Sequence, residues 1–301
     1  MIERTMTFGQ NGGLVGTLCL PRSLPDSGPA VGQILFNAGI LHRIGPHRLN
    51  VRLARRLARR GIPSIRFDLS GLGDSDRAGA RQSFDEQAVT DLRSAMDVLG
   101  REAGLAHFAL LGFCSGGRHG YATAVVDSRV AGLFLYDTFT FATVRSRWNR
   151  YRLRIRRHGL RGAVLGWARL RAARLLGAGR LFGSGVPGPL PNPSGYVNFR
   201  VPTKEEYAQR IRMLHAKGVK IGVLFSGESE NHNYRAQFDD AFRGMGVVEH
   251  MNYDYMPEMD HTVMLLSWQT EFVRRIETWT VALDEELRRK AGVPSLDGSS
   301  G

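Results

Sequence analysis

From residue 31 onward, short apolar runs alternate with longer helix-like stretches, and this alternation dictates strands joined by crossover helices in a largely parallel sheet. The runs at 31–37, 63–69, 107–113, 130–137, 219–225 and 248–255 read as strands, and the stretches near 47–60, 84–102, 234–245 and 262–289 as helices. Upstream, the segments 5–10 and 14–21 flank Asn11-Gly12-Gly13, residues that tolerate the positive φ of a tight turn, and predict an opening hairpin. With 43% hydrophobic residues in 301, the chain can bury one sizeable core.

The alternation stops after Asp137 for about eighty residues, far longer than an ordinary connection between sheet elements. The reading is therefore a core in two parts, 1–137 and 219–290, interrupted by an inserted lid, 138–218, and followed by a disordered tail, 291–301. The lid holds 17 Lys and Arg against Glu205 and Glu206, a local balance of +15. Within a total of +13, the rest of the chain carries −2. The basic character thus belongs to one segment, and with no base-reading motif a nucleic-acid partner is not expected. No apolar run is long enough to span a bilayer and the N-terminus lacks a signal-peptide layout, so the expected location is cytoplasmic.

Chemistry concentrates where the 107–113 strand ends. Gly112-Phe113-Cys114-Ser115-Gly116 fits a nucleophile elbow, in which a strand turns sharply into a helix and lifts one side chain out of the sheet. Gly112 and Gly116 leave room for neighbouring backbone around Cys114, and the following helix start favours a thiolate. Taking Ser115 as nucleophile instead would put Phe113 where a small residue is needed. Arg66-Phe67-Asp68-Leu69-Ser70-Gly71-Leu72-Gly73-Asp74-Ser75 is a glycine-rich turn in which the Asp68 carboxylate can tie backbone amides.

In this order of motifs, the chain outside the lid resembles the α/β-hydrolase superfamily, with cysteine in place of the usual serine. Dienelactone hydrolases and acyl-CoA:amino acid N-acyltransferases share that replacement. The resemblance implies an oxyanion hole made by the backbone N–H groups of Ile40, after Asn37-Ala38-Gly39, and of Ser115. It implies a general base at His261, shortly after the last strand. The orienting acid is expected after the penultimate strand, at Glu230 in Gly227-Glu228-Ser229-Glu230, with Glu228 and Asp137 as alternatives. His42, His47, His119 and His232 are read as structural or solvated.

No His-Glu-x-x-His or cysteine-rich metal pattern and no nucleotide-phosphate loop is found, so neither metal nor cofactor is expected. The expected activity is acyl hydrolysis of an ester or thioester through an acyl-cysteine. Transfer of the same acyl group to an acceptor, or a non-catalytic binding role, remain the alternatives. Arg150, Arg152, Arg154 and Arg156 stand in a basic cluster beside Trp148 and Tyr151. That cluster suits an anionic substrate, coenzyme A, a carrier protein or a peripheral membrane contact. Oligomeric state is left open.

Overall fold

The computed structural model describes residues 1–22, 28–79, 82–152, 155–156, 159, 201–227 and 232–292. Eight strands form one sheet in the order β1-β2-β4-β3-β5-β6-β7-β8. These are β1 (Ile2–Phe8), β2 (Leu14–Leu20), β3 (Gly32–Leu35), β4 (Ser64–Phe67), β5 (Phe108–Phe113), β6 (Val130–Tyr136), β7 (Lys220–Ser226) and β8 (Asn252–Met256). The opening hairpin β1–β2 and the β2–β4 pair are antiparallel, and the other pairs are parallel. Strands β3 to β6 are almost wholly buried, which is why they read as continuous apolar runs rather than alternating ones.

The flanking helices explain the two faces. In α1 (Leu49–Arg59), Leu49, Leu53, Leu57 and Ala54 point inward at i, i+4 and i+5 spacings while Arg52, Arg55, Arg56 and Arg59 stay at the surface. α1 and the long helix Leu266–Lys290 share one apolar cluster with Leu35, Leu111 and Tyr136. On the opposite face, α2 (Phe84–Ala103), α3 (Gly116–Val126) and the helix Lys204–Ala216 pack with Ile34, Leu110 and Leu133. α2 opens with a complete capping box, Ser83 with Glu86, and ends on Gly104 in the left-handed conformation.

Three local expectations change. Within 138–218, the helix Lys204–Ala216 buries Tyr207, Ala208, Ile211 and Leu214, so this part is the crossover that returns the chain to β7. The 234–245 stretch is helical only over Gln237–Ala241, because Gly244 and Gly246 adopt positive φ of 72° and 59° and unwind its end. The last helix begins at Leu266 rather than near residue 262, since the Thr262 and Met264 amides donate to the Asp260 carboxylate instead of entering a helix. Most of the lid and the residues from 293 lie outside the described residues.

The strand order reverses between β3, whose crossover runs to β4 on one side, and its other neighbour β5. Such a reversal opens a crevice at the carboxyl ends of the strands, where the loops after β3 and β5 diverge.

Candidate active site

Cys114 stands in that crevice. Its φ of 51° is left-handed, a conformation that costs a non-glycine residue on the order of 1–3 kcal/mol and that surrounding structure must hold. It is held at both ends: the Cys114 amide donates to the Tyr136 carbonyl at 2.8 Å, and the Cys114 carbonyl accepts from the Gly117 amide and the Thr138 hydroxyl, each at 3.1 Å. The elbow also needs backbone to approach backbone. A methyl on Gly112 would collide with the Gly117 backbone, and one on Gly116 would lie 2.5 Å from the Asn37 carbonyl. Gly117 likewise leaves room for the Thr138 side chain, a requirement the sequence reading missed.

His261 follows β8 on the loop whose Asp260 carboxylate gathers the Thr262 and Met264 amides. The Tyr136 hydroxyl donates to the carbonyls of Asp260 and His261 at 3.1 and 3.2 Å, and the Tyr136 ring stacks on the imidazole with centroids 6.0 Å apart. The imidazole Nδ1 lies 2.7 Å from Asp137 Oδ2, and the ring also hydrogen-bonds the Cys114 side chain. These contacts, the Asp137 bond foremost and the Cys114 bond next, raise the His261 pKa to about 10 against the opposing effect of burial.

The carboxylate on His261 Nδ1 is that of Asp137, at the end of β6, which the sequence offered as an alternative to Glu230. Glu230 and Glu228 lie outside the described residues. Asp137 is nearly buried, 3% exposed, and reaches the imidazole because its own backbone is left-handed at φ 47°. It also accepts from the Ser226 amide at 2.7 Å and the Ser226 hydroxyl at 2.6 Å. Bonds to a charged acceptor each contribute about 1.5–3 kcal/mol, so these offset the cost of burying the carboxylate. Ser226 was not singled out from sequence; a polar residue closing the apolar run of β7 was the available signal.

Ile40 and Ser115 flank the elbow, and among the described residues neither backbone N–H carries a hydrogen bond. The Gly39 amide donates to the Ser115 hydroxyl at 2.8 Å, with Gly39 at φ 57°. Ser115 thus ties the loop after β3 to the elbow. Beneath this loop, Asn37 donates to Asp68 Oδ1 and to the Leu41 carbonyl and accepts from the Leu69 amide. Asp68 in turn accepts from the Arg43 amide and guanidinium, each at 2.6 Å, and from the Asp74 amide.

His42, Asp68 and Asp74 bring three potential ligand atoms within 4.8 Å. The Arg43 guanidinium bonds both carboxylates at 2.6 Å, so a cation already occupies that position. Cys19 is buried under α1, where desolvation pushes its thiol up to about 11; Cys114 is the partly accessible thiol of the two. In the lid, the helical stretch 144–152 is capped by Thr143 and Ser146 and tied to Asn233 through Asn149 and the Ser146 carbonyl. It exposes Arg147, Trp148, Tyr151 and Arg152, and Arg145 lies over the Tyr234 ring at 4.5 Å. Arg154 lies outside the described residues. No helix among the described residues is long and apolar enough to cross a membrane.

A family model described as alpha/beta hydrolase fold matches residues 34–178. With the sheet order and the elbow geometry, it gives the chain the α/β-hydrolase fold. No curated protein matches the sequence. Among solved structures, proline iminopeptidase of Mycobacterium smegmatis is similar at 16% identity and a TM-score of 0.53, over 94% of this chain and 99% of that one. The esterase domain of a Rhodothermus marinus protein is similar at 16% identity and a TM-score of 0.52, over 93% and 98%. At these identities the likeness is one of fold.

Proposed function

We propose that the protein is an acyl hydrolase in which Cys114, His261 and Asp137 act as nucleophile, proton carrier and orienting acid. The observation that carries this reading is the continuous line of contacts from the elbow cysteine through His261 to the buried Asp137.

The Cys114 sulfur adds to the carbonyl carbon of an ester or thioester, and the N–H groups of Ile40 and Ser115 receive the oxyanion. The carbon–leaving-group bond then breaks, and imidazolium His261 gives its proton to the departing alkoxide or thiolate. Acylation removes the negative charge on sulfur that helps hold the His261 proton. The neutral imidazole left behind takes a proton from water as the hydroxide oxygen bonds to the thioester carbon. Breakdown of that adduct releases the acid and returns the proton to the Cys114–His261 pair. The Arg150, Arg152, Arg154 and Arg156 cluster recruits an anionic portion of the substrate, such as a coenzyme A or carrier-protein phosphate.

Intact-mass analysis against acyl esters and thioesters, with and without amine acceptors, tests the proposal. The expected result is an acyl adduct on Cys114 that decays to free acid. A product that requires the amine would make the enzyme an acyltransferase, and no adduct with any substrate would leave a binding protein.

A further inference from the structure

A cavity of about 150 Å3 adjoins the elbow, with Ser115 and Gly116 in its lining. Gly39, Ile40 and Ser115, of the expected oxyanion site, share its lining with Phe84 and Asp85 of the first turn of α2 and His119 of α3. His119 is 92% buried, since only 8% of it is exposed, and its Nδ1 has no hydrogen-bond partner. Asp85 Oδ1 is 3.4 Å from that nitrogen without forming a hydrogen bond to it. The Phe84 ring meets the imidazole edge-on at 5.4 Å. A buried polar group left unpaired is costly, and such groups in a native structure call for an explanation.

We infer that this cavity is a specificity pocket that receives a hydroxyl carried on a short acyl chain while its carbonyl oxygen occupies the adjoining oxyanion site. The inference rests on the acyl-enzyme reading above. Charge selects the ligand class. Burial first, and the Arg118 charge second, lower the His119 pKa to about 4, so the imidazole is neutral at pH 7. An anionic group would face the Asp85 carboxylate and a cationic group would face Arg118. A hydroxyl can donate to Asp85 or to an imidazole nitrogen and accept from the imidazole N–H, and it adds no charge to a cramped site. Ile40, Leu69 and Phe84 supply apolar contact for the few carbons that precede it.

The test compares acylation of the full chain by 4-nitrophenyl butanoate with that by its 2-hydroxy and 3-hydroxy counterparts, each corrected for its own uncatalysed hydrolysis. Mass gain at Cys114 and nitrophenolate release are read together. One hydroxy ester is expected to acylate about tenfold faster than butanoate, the value of one neutral hydrogen bond. His119→Leu should bring that ratio to within about twofold of one. Asp85→Asn serves the same purpose should the leucine variant lose its thermal transition. Equal rates for the three esters, or an unchanged ratio in a folded variant, overturn the proposal and leave the acyl-enzyme reading intact. A preference for 4-nitrophenyl hemisuccinate would overturn it in favour of an anion pocket. Failure of all esters to acylate Cys114 removes the acyl-enzyme reading, and the pocket assignment with it.

Discussion

Two buried carboxylates stand on either side of Cys114, and they are used differently. Asp68 is fully enclosed and spends its acceptors on the Arg43 amide and guanidinium, the Asn37 amide and the Asp74 amide. Asp137 is held by Ser226 but turns one oxygen to an imidazole that is 40% exposed. The first freezes the loop that carries Gly39 and Ile40. In the proposed mechanism, the second supports a ring that must still exchange protons. A buried carboxylate is therefore not by itself a catalytic sign; what matters is whether its partner can reach a reacting atom.

The comparison breaks most visibly at the proton carrier. Cys114→Ala and His261→Ala should each lower kcat by at least about 10^3-fold while circular dichroism stays native, because these side chains act as a unit. Asp137→Asn should lower kcat by about 10^3- to 10^4-fold, since it presents the wrong hydrogen-bonding face to Nδ1. Glu230→Gln should stay within about twofold of wild type. Comparable losses in the two acid variants would remove the distinction drawn for Asp137.

Asp68→Asn should show the opposite balance. Leaving Arg43 without one of its carboxylates costs about 3 kcal/mol, read as a lower urea midpoint, with kcat falling only about tenfold through a looser oxyanion loop. A native midpoint with a 10^3-fold loss of kcat would show that Asp68 works on the reaction rather than on the loop.

A smaller effect sharpens the contrast through pH. The His261 pKa is raised above its unfolded value of 6.5, to about 10, so its pairing stabilises the fold fully below pH 6.5. That stabilisation is lost as pH rises toward and through 10. With the ring half-exposed, the contribution is below about 1 kcal/mol. Urea midpoints of wild type and His261→Gln should accordingly converge between pH 6.5 and 10.5, and parallel curves would contradict the pairing. Smallest of all, replacing Arg150, Arg152, Arg154 and Arg156 with glutamine should raise KM for an anionic thioester about threefold at low salt, and hardly change it for a small neutral ester. Equal changes for the two substrates would make the cluster a solvated face.

Much of the fold was legible because apolar runs and glycine turns act locally. The strands at 107–113, 130–137 and 219–225 appear within a residue or two of β5, β6 and β7. The helix Lys204–Ala216 was absorbed into the lid, although Thr203 with Glu206 forms a capping box that sequence could have shown. Its buried stripe of Tyr207, Ile211 and Leu214 was masked by the surrounding basic residues.

By itself, the sequence determined the elbow around Cys114 and the strand-to-helix alternation, since both depend on neighbours a few residues apart. Only the tertiary structure decided which acid meets His261. Asp137 and His261 are 124 positions apart, and their contact depends on β6 lying beside β7, on the Ser226 hydroxyl, and on a left-handed turn at Asp137 itself. The same holds for His119 and Asp85, brought to one cavity because α2 and α3 start side by side. No local pattern encodes a distance between residues that only the packed sheet brings together.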